Sequence, residues 1–251
     1  MRILVISDIH ANLQALEACL AAFPAHDVVW NLGDVVGYGA NPNEVVARVC
    51  ELGSVFVRGN HDKACSGVGD LAGFNPVAAM AALWTQKNLT PANLEWLKAL
   101  PQGPVKPDDS LDLACVHGSP EDEDEYLINV HDAAEPLTHP VAQCTFFGHT
   151  HLQGGFAMNG TGVQNLHPSY RYVNQAETIE LQLASGTTYM INPGSIGQPR
   201  DGDSRSGFAL YDTDAAVVRF YRLPYDIAGA QQKILDAGLP PRLAERLSGG
   251  R

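Results

Sequence analysis

Paired thiols, long apolar runs and positive charge are all in short supply in this 251-residue chain. The five cysteines, Cys19, Cys50, Cys65, Cys115 and Cys144, are odd in number and nowhere spaced as CxxC. That excludes a disulfide framework or a thiolate zinc site as the organising device, and the thiols are expected to be buried in a reducing cytoplasm. No apolar run approaches the roughly 20 residues needed to cross a bilayer, so no membrane association is expected. No basic region, apolar core or cleavage site precedes the first strand-like run, Ile3-Leu4-Val5-Ile6, so no leader is expected and the compartment is read as cytoplasmic. Lys and Arg total 16 against 28 Asp and Glu, a formal charge of −12. Stable nucleic-acid binding, which needs a basic footprint, is therefore not expected.

What is present describes a well-cored α/β chain. Hydrophobic residues make up 45% of it and charged residues 18%. The opening reads as a strand over 2–7, a polar turn over 8–12 and a helix over 13–23 with apolar residues at helical spacing. A second unit follows, with a strand over 27–32, a Gly-rich loop to Pro42 and a helix over 43–52, and then a short strand over 54–58. Such alternation predicts a partly parallel sheet. Residues 76–100 read as two helices broken at Thr90-Pro91, with Ala79, Leu83, Leu94 and Leu97 on their buried faces and Trp84 and Trp96 in the core. Beyond Pro107 strands are expected over 111–116, 143–147, 178–183, 188–191, 207–212 and 217–221, and one or two helices over 227–247. The acidic run Glu121 to Glu125 is expected to be a solvated loop.

Five short segments concentrate metal-binding side chains, each just after an expected strand: Asp8-Ile9-His10, Gly33-Asp34, Gly59-Asn60-His61-Asp62, His117-Gly118 and Gly148-His149-Thr150-His151. They hold five of the nine histidines. In α/β sheets, ligands gather beyond the carboxyl ends of strands, so segments distant in sequence converge there. Carboxylate, imidazole and amide donors without thiolates suit Mn, Fe, Zn, Co or Ni. One carboxylate can bridge two cations, and two ions about 3.5–4 Å apart can activate a water and clamp a phosphoryl group.

In this order the segments resemble the calcineurin-like metallophosphoesterase superfamily: D-x-H, GD, GNH[DE], a lone H, and GH-x-H. The compact size and the tail Asn192-Pro193-Gly194-Ser195 with Gln198-Pro199-Arg200-Asp201 are similar to the small YfcE-like bacterial and archaeal phosphoesterases. The resemblance implies a four-layer α-β-β-α sandwich of two mixed sheets flanked by helices. It further implies a single domain over 1–251, with a cap-like helical insertion at about 70–105. By it, Asp8, His10 and His151 hold one divalent ion, Asn60, His117 and His149 hold a second, and Asp34 bridges them. Mn is expected first, with Fe, Zn, Co or Ni as alternatives. His61 is then the general acid toward the leaving oxygen, and the substrate is a small phosphate mono- or diester, a partner compatible with the acidic charge.

Other residues carry weaker expectations. Arg200 and Asn12 are candidate substrate contacts, Arg200 through bidentate oxyanion binding and Arg205 as a candidate of the same kind; the alternative for both arginines is pairing with Asp201 and Asp203. Asp62 is expected to be structural or to cap a helix. The segment Gly33-Asp34-Val35-Val36-Gly37-Tyr38-Gly39 departs from the GDxxDRG of protein phosphatases and symmetrical dinucleotide tetraphosphatases, which counts against those activities. A non-catalytic interaction protein on the same fold is the third alternative, and retention of His61 and all seven ligands counts against it.

Overall fold

Alternating side chains on the first strand, β1 (Arg2–Ile6), set the layering of the molecule. Successive strand residues point to opposite faces. Leu4 and Ile6 enter one apolar cluster, and Ile3 and Val5 enter another. A strand that is apolar on both faces belongs in the middle of a stack, which is where a computed structural model of the protein has it. The structure describes residues 1–53 and 55–251.

After β1 come α1 (Leu13–Ala22), β2 (Val28–Asn31), α2 (Pro42–Leu52), β3 (Val55–Phe56) and α3 (Asn60–Ser66). Then follow α4 (Pro76–Asn88), α5 (Pro91–Lys98), β4 (Leu113–Cys115), α6 (Ala134–Thr138), β5 (Cys144–Phe146), β6 (Gly154–Asn159) and β7 (Gly162–Leu166). The chain continues through β8 (Glu177–Gln182), β9 (Thr188–Asn192), β10 (Ser206–Asp212), β11 (Val217–Leu223), α7 (Ile227–Asp236) and α8 (Pro241–Gly249). One sheet has the order β3-β2-β1-β10-β11-β8 and the other β4-β5-β9-β6-β7. Both are mixed. β1, β2 and β3 are parallel while β10 runs antiparallel to β1; β4, β5 and β9 are parallel while β6 runs antiparallel to β9.

The sheets face each other across Ile3, Val5, Trp30, Phe146, Ile191 and Phe220. Outside the first sheet, Leu4 and Ile6 pack with Leu16 of α1 and Val45 and Val49 of α2. Outside the second, Phe147, Phe156 and Met190 pack with Leu137 of α6. The order is helix, sheet, sheet, helix, as the resemblance implied.

Several local expectations shift. The hairpin β6–β7 was not anticipated, because its strands are short of β-branched residues. Its loop is Gly160-Thr161, closed by Asn159 pairing with Gly162 and by Asn159 Oδ1 accepting from Thr161 N–H at 2.9 Å. The strand expected over 54–58 is confined to Val55–Phe56, with Ser54 outside the described residues. Helix α4 buries Ala78, Ala81, Ala82 and Thr85, so Leu83 is exposed rather than buried. A stripe of small side chains lets the helix sit close, and that sets its rotation. Trp84 and Trp96 are half-buried, the latter edge-on to Phe56. Cys50 is exposed, the other four thiols buried. The acidic run is not wholly solvated: Glu123 is buried and pairs with Arg58 and Lys63. Among the described residues no helix is long and apolar enough to cross a membrane.

Candidate metal centre

The parallel strands deliver the five segments to one end of the two sheets. The turn after β1 is tied to the turn after β2 by Asp8 N–H donating to Gly33 O (3.0 Å), His10 N–H to Asp34 O (2.9 Å) and Ala11 N–H to Val35 O (2.9 Å). Asp8, His10, Asp34, His149 and His151 all have positive φ, between 50° and 64°. Left-handed backbone is uncommon for non-glycine residues, and clusters of it mark sites where side-chain direction matters more than local strain. Gly59 is required by contact: a Cβ there would stand 2.1 Å from Asp34 Oδ1. Asp34 is thus pressed against the start of α3, where Oδ1 accepts from His61 N–H at 2.8 Å.

Two groups of donors result, Asp8, His10, Asp34 and His151 in one and Asp34, His117 and His149 in the other, each with its donor atoms within 4.8 Å of one another. Asp34 belongs to both. Its Oδ2 lies 3.5 Å from His10 Nε2 and 3.4 Å from His117 Nε2. Asp8 Oδ1 is 3.3 Å from His151 Nε2, and Asn60 Oδ1 is 3.2 Å from His117 Nε2. The seven side chains expected as ligands therefore converge. Behind them, main-chain oxygens fix the rings: His10 Nδ1 donates to Val36 O, His117 Nδ1 to Leu32 O and His151 Nδ1 to Gln198 O. Each leaves Nε2 toward the centre. His149 is turned the other way, with Nε2 on Asp124 O at 3.1 Å, leaving Nδ1. Such outer partners orient metal-binding imidazoles.

Whether this set fits a cation is answered by its unsatisfied chemistry. Asp8 Oδ2 is buried with no hydrogen-bond partner among the described residues. An ionised oxygen without a donor is costly in a protein interior, and a metal ion is what removes that cost. The protonation balance agrees. Burial opposes charge on Asp34, yet His117 and His61 hold its pKa well below the usual carboxylate range. Asp8 is lowered likewise, burial being outweighed by His151. Burial pushes His10 well below its ordinary value, His151 below it and His149 to about 3, so these rings are neutral donors at pH 7. His117 is the exception: burial works against its charge, but Asp34 lifts it to about 10.

His61 is brought to the same cleft without joining either donor group. Its ring is 4.9 Å from the His10 ring, 4.3 Å from Tyr38 and 4.7 Å from Phe74, centroid to centroid. Its Nδ1 has no hydrogen-bond partner among the described residues, and burial lowers its pKa to about 4. Gly37 makes room for it: φ is +90°, and a Cβ would stand 2.5 Å from Nδ1. Asp62 accepts from Gly59 N–H and Val36 N–H, capping α3 and tying it to the loop after β2. Asn12 is engaged by the fold through both side-chain atoms. It caps α1 by accepting from Ala15 N–H, and its Nδ2 donates to Gly197 O at 2.8 Å. Arg205 is buried against Asp203 and Glu177. Arg200 has no carboxylate partner among the described residues; its Nη2 reaches Tyr38 Oη at 3.5 Å and Gln198 Oε1 at 3.2 Å.

The cleft over the centre has a volume of about 240 Å³ and is lined by Asn60, His61, Phe74, Asp124, Tyr126 and His149, among others. Tyr126, its ring centroid 3.8 Å from that of His149 at an interplanar angle of 34°, and Phe74 were missed from sequence, where a single aromatic in a loop carries no signal.

Comparison with known proteins identifies the family. Residues 1–216 match the calcineurin-like phosphoesterase superfamily domain. An uncharacterized protein of Methanocaldococcus jannaschii is 36% identical over 253 residues, covering 99% of this chain and 98% of that one. The crystal structure of a metallophosphoesterase from Sphaerobacter thermophilus superposes with a TM-score of 0.83 at 42% identity, covering 100% of this chain and 99% of that one. A hypothetical protein from Pyrococcus horikoshii shares the fold, with a TM-score of 0.77 at 20% identity over 100% of this chain and 98% of that one. By the residues it aligns and the relatives it matches, the chain belongs to the calcineurin-like phosphoesterase superfamily.

Proposed function

We propose that the protein is a dinuclear metal-dependent phosphoesterase that hydrolyses small phosphate mono- or diesters. The superfamily is one of divalent-metal phosphoester hydrolases, and the two donor groups are candidate sites for the metal. The observation that carries the dinuclear reading is the position of Asp34 Oδ2, 3.5 Å from His10 Nε2 and 3.4 Å from His117 Nε2. Asp8, His10 and His151 would hold one ion with Asp34, and Asn60, His117 and His149 would hold the other. When bound, the ions supply a water of lowered pKa and neutralise charge on the phosphoryl oxygens. Mn is the first candidate, and Fe, Zn, Co and Ni suit the same donors.

The chain's own groups do the rest. His61, beside the donors but not among them, protonates the departing oxygen; a bound phosphate dianion raises its pKa from the low value that burial imposes. Arg200 binds the phosphoryl oxygens. The helical segment 70–105 acts as a cap-like insertion on a single domain, with Phe74 and Asn75 at the cleft wall. The cytoplasm is the proposed compartment, and the net charge of −12 disfavours long polyanions as substrates. The test is metal analysis of protein reconstituted with each ion, followed by turnover of p-nitrophenyl phosphate and bis-p-nitrophenyl phosphate. Two ions per chain and metal-dependent release of nitrophenol are expected. A chain that never retains more than one ion would overturn the dinuclear reading.

A further inference from the structure

The wall beyond Tyr38 carries guanidiniums that pair with no Asp or Glu side chain among the described residues. Arg246 of α8 sets its guanidinium carbon 5.5 Å from the Tyr38 ring centroid, and Arg200 sets its own at 5.9 Å. The Tyr38 ring is itself 4.7 Å from that of His10, so one phenol separates the metal-binding side chains from α8. Arg48, Arg58, Lys63, Arg205, Arg219 and Arg222 are all paired with carboxylates. Among the described residues, Arg2, Lys87, Lys106, Arg171, Arg200, Lys233, Arg242, Arg246 and Arg251 have no Asp or Glu side-chain pair, and Arg200 and Arg246 of these meet at the Tyr38 ring, with Arg242 and Arg251 lining the cleft beside it. Arg246 Nε donates to the main-chain oxygen of Arg251, and Arg200 Nε is buried with no hydrogen-bond partner among the described residues. Two guanidiniums held against one ring repel each other, and burial together with the Arg200 charge lowers the Arg246 pKa. That repulsion is relieved when an anion binds between or beside them.

Space for such a group exists. A second cleft of about 870 Å³ is lined by Arg242, Arg246, Arg251 and Val77, with Glu245 as the one acidic side chain among its described lining residues. It shares Tyr38 and Asn75 with the cleft over the metal centre, so the two adjoin along those residues.

We infer that the arginine cleft is a second anion subsite, and that the substrate is a phosphate ester whose leaving group carries another phosphate. This rests on the phosphoesterase reading and narrows it. The reacting phosphate sits by Asn60, His61 and His149, and the distant phosphate sits against Arg246 and Arg242, with Tyr38 beneath the span between them. Hydrolysis breaks the ester P–O bond and gives the water's hydroxyl to phosphorus and a proton to the leaving oxygen. The alcohol departs still bearing its second phosphate. Binding energy from that remote phosphate orients the reacting one.

The test compares butyl phosphate with 1,4-butanediol bisphosphate and with a carboxyalkyl phosphate of matched length, using metal-loaded protein. The bisphosphate is expected to have the highest kcat/KM, by about tenfold or more over butyl phosphate and mostly through KM. Arg246→Ala should erase most of that preference, and Arg246→Lys should restore part of it. Equal kcat/KM for the bisphosphate and butyl phosphate, or a preference that survives Arg246→Ala, overturns the inference. A carboxyalkyl ester preferred over the bisphosphate overturns the phosphate assignment. Should Arg246→Ala fail to fold, Arg242→Ala takes its place under the same criteria. If neither these esters nor p-nitrophenyl phosphate turn over with both ions bound, the phosphoesterase reading fails instead. Calorimetric binding of pyrophosphate then decides the subsite: binding weakened about tenfold by Arg246→Ala supports it, and no binding or no change removes it.

Discussion

His61 is the residue whose role most needs separating from its neighbours, because it stands beside the donors and is neutral in the free protein, with a pKa of about 4. A general acid matters more the poorer the leaving group. His61→Asn is therefore expected to slow phenyl phosphate hydrolysis by about 10²–10⁴-fold while slowing p-nitrophenyl phosphate much less. Metal content should stay near that of the wild type, since His61 belongs to neither donor group. Equal losses on both esters would mean that the ring positions substrate and transfers no proton. Gly37→Ala offers a second probe from the other side of the ring. The new Cβ would stand 2.5 Å from His61 Nδ1 on backbone at φ +90°. Displacement of the ring should lower kcat at unchanged metal content, and a wild-type kcat would show that the ring's placement is not critical.

The loop between β4 and α6 is the element that sequence reading underrated. Its acidic run looked like a solvated stretch, yet Glu123 is buried and receives Arg58 Nη2 at 2.8 Å and Lys63 Nζ at 3.0 Å. The next residue's carbonyl fixes His149 Nε2, so the ion cluster anchors the strut behind a donor. Glu123→Gln should cost about 1–3 kcal/mol in urea denaturation, less than a fully buried pair because Lys63 is partly exposed and Gln102 Oε1 also faces Arg58. Metal affinity should fall about tenfold, the scale expected when an outer partner of an imidazole is loosened. An unchanged affinity would detach the loop from the site. The contrast with the donors shows what was legible. Asp8, His10, Asn60, His61, His149 and His151 lie in short segments after strands, where residue type and spacing carry the chemistry. Glu123, Tyr126 and Arg246 make tertiary contacts with residues about 20 to 210 positions away, and nothing local marks them. The rotation of α4 was misjudged for a related reason. Leucines suggested a face, but four small side chains packed closer.

At the scale of the whole molecule, the candidate metal centre couples folding to pH, because both sheets and α3 contribute titratable or donor side chains whose protonation differs between folded and unfolded chains. In the metal-free protein His149 has a pKa of about 3 and His61 of about 4, depressed chiefly by burial from an ordinary value of 6.5. Groups depressed in this way favour folding above pH 6.5 and progressively less as pH falls toward those values, since the unfolded chain then binds the extra protons. His117 has the opposite sign. Its folded pKa of about 10 exceeds the ordinary 6.5, so the contribution of its pairing with Asp34 is complete below pH 6.5 and is lost as pH rises toward 10. The apo protein is thus expected to lose stability in both directions from near neutrality, a bell in Tm against pH. Metal loading should remove the alkaline limb, because an ion must displace the His117 proton and then keeps the ring neutral at every pH above neutrality. The same exchange makes apparent affinity rise with pH up to about 10 and releases close to one proton per ion pair bound at pH 7.5. Loading should also raise stability by about 2.7 kcal/mol for each ion held at a hundred times its dissociation constant. Thermal melts of chelated and metal-loaded protein between pH 5 and 10, with calorimetry in buffers of different ionisation enthalpy, read all three effects. An apo Tm that stays flat from pH 7 to 10, with no proton released on loading, would show that Asp34 and His117 do not share a proton before the metal arrives.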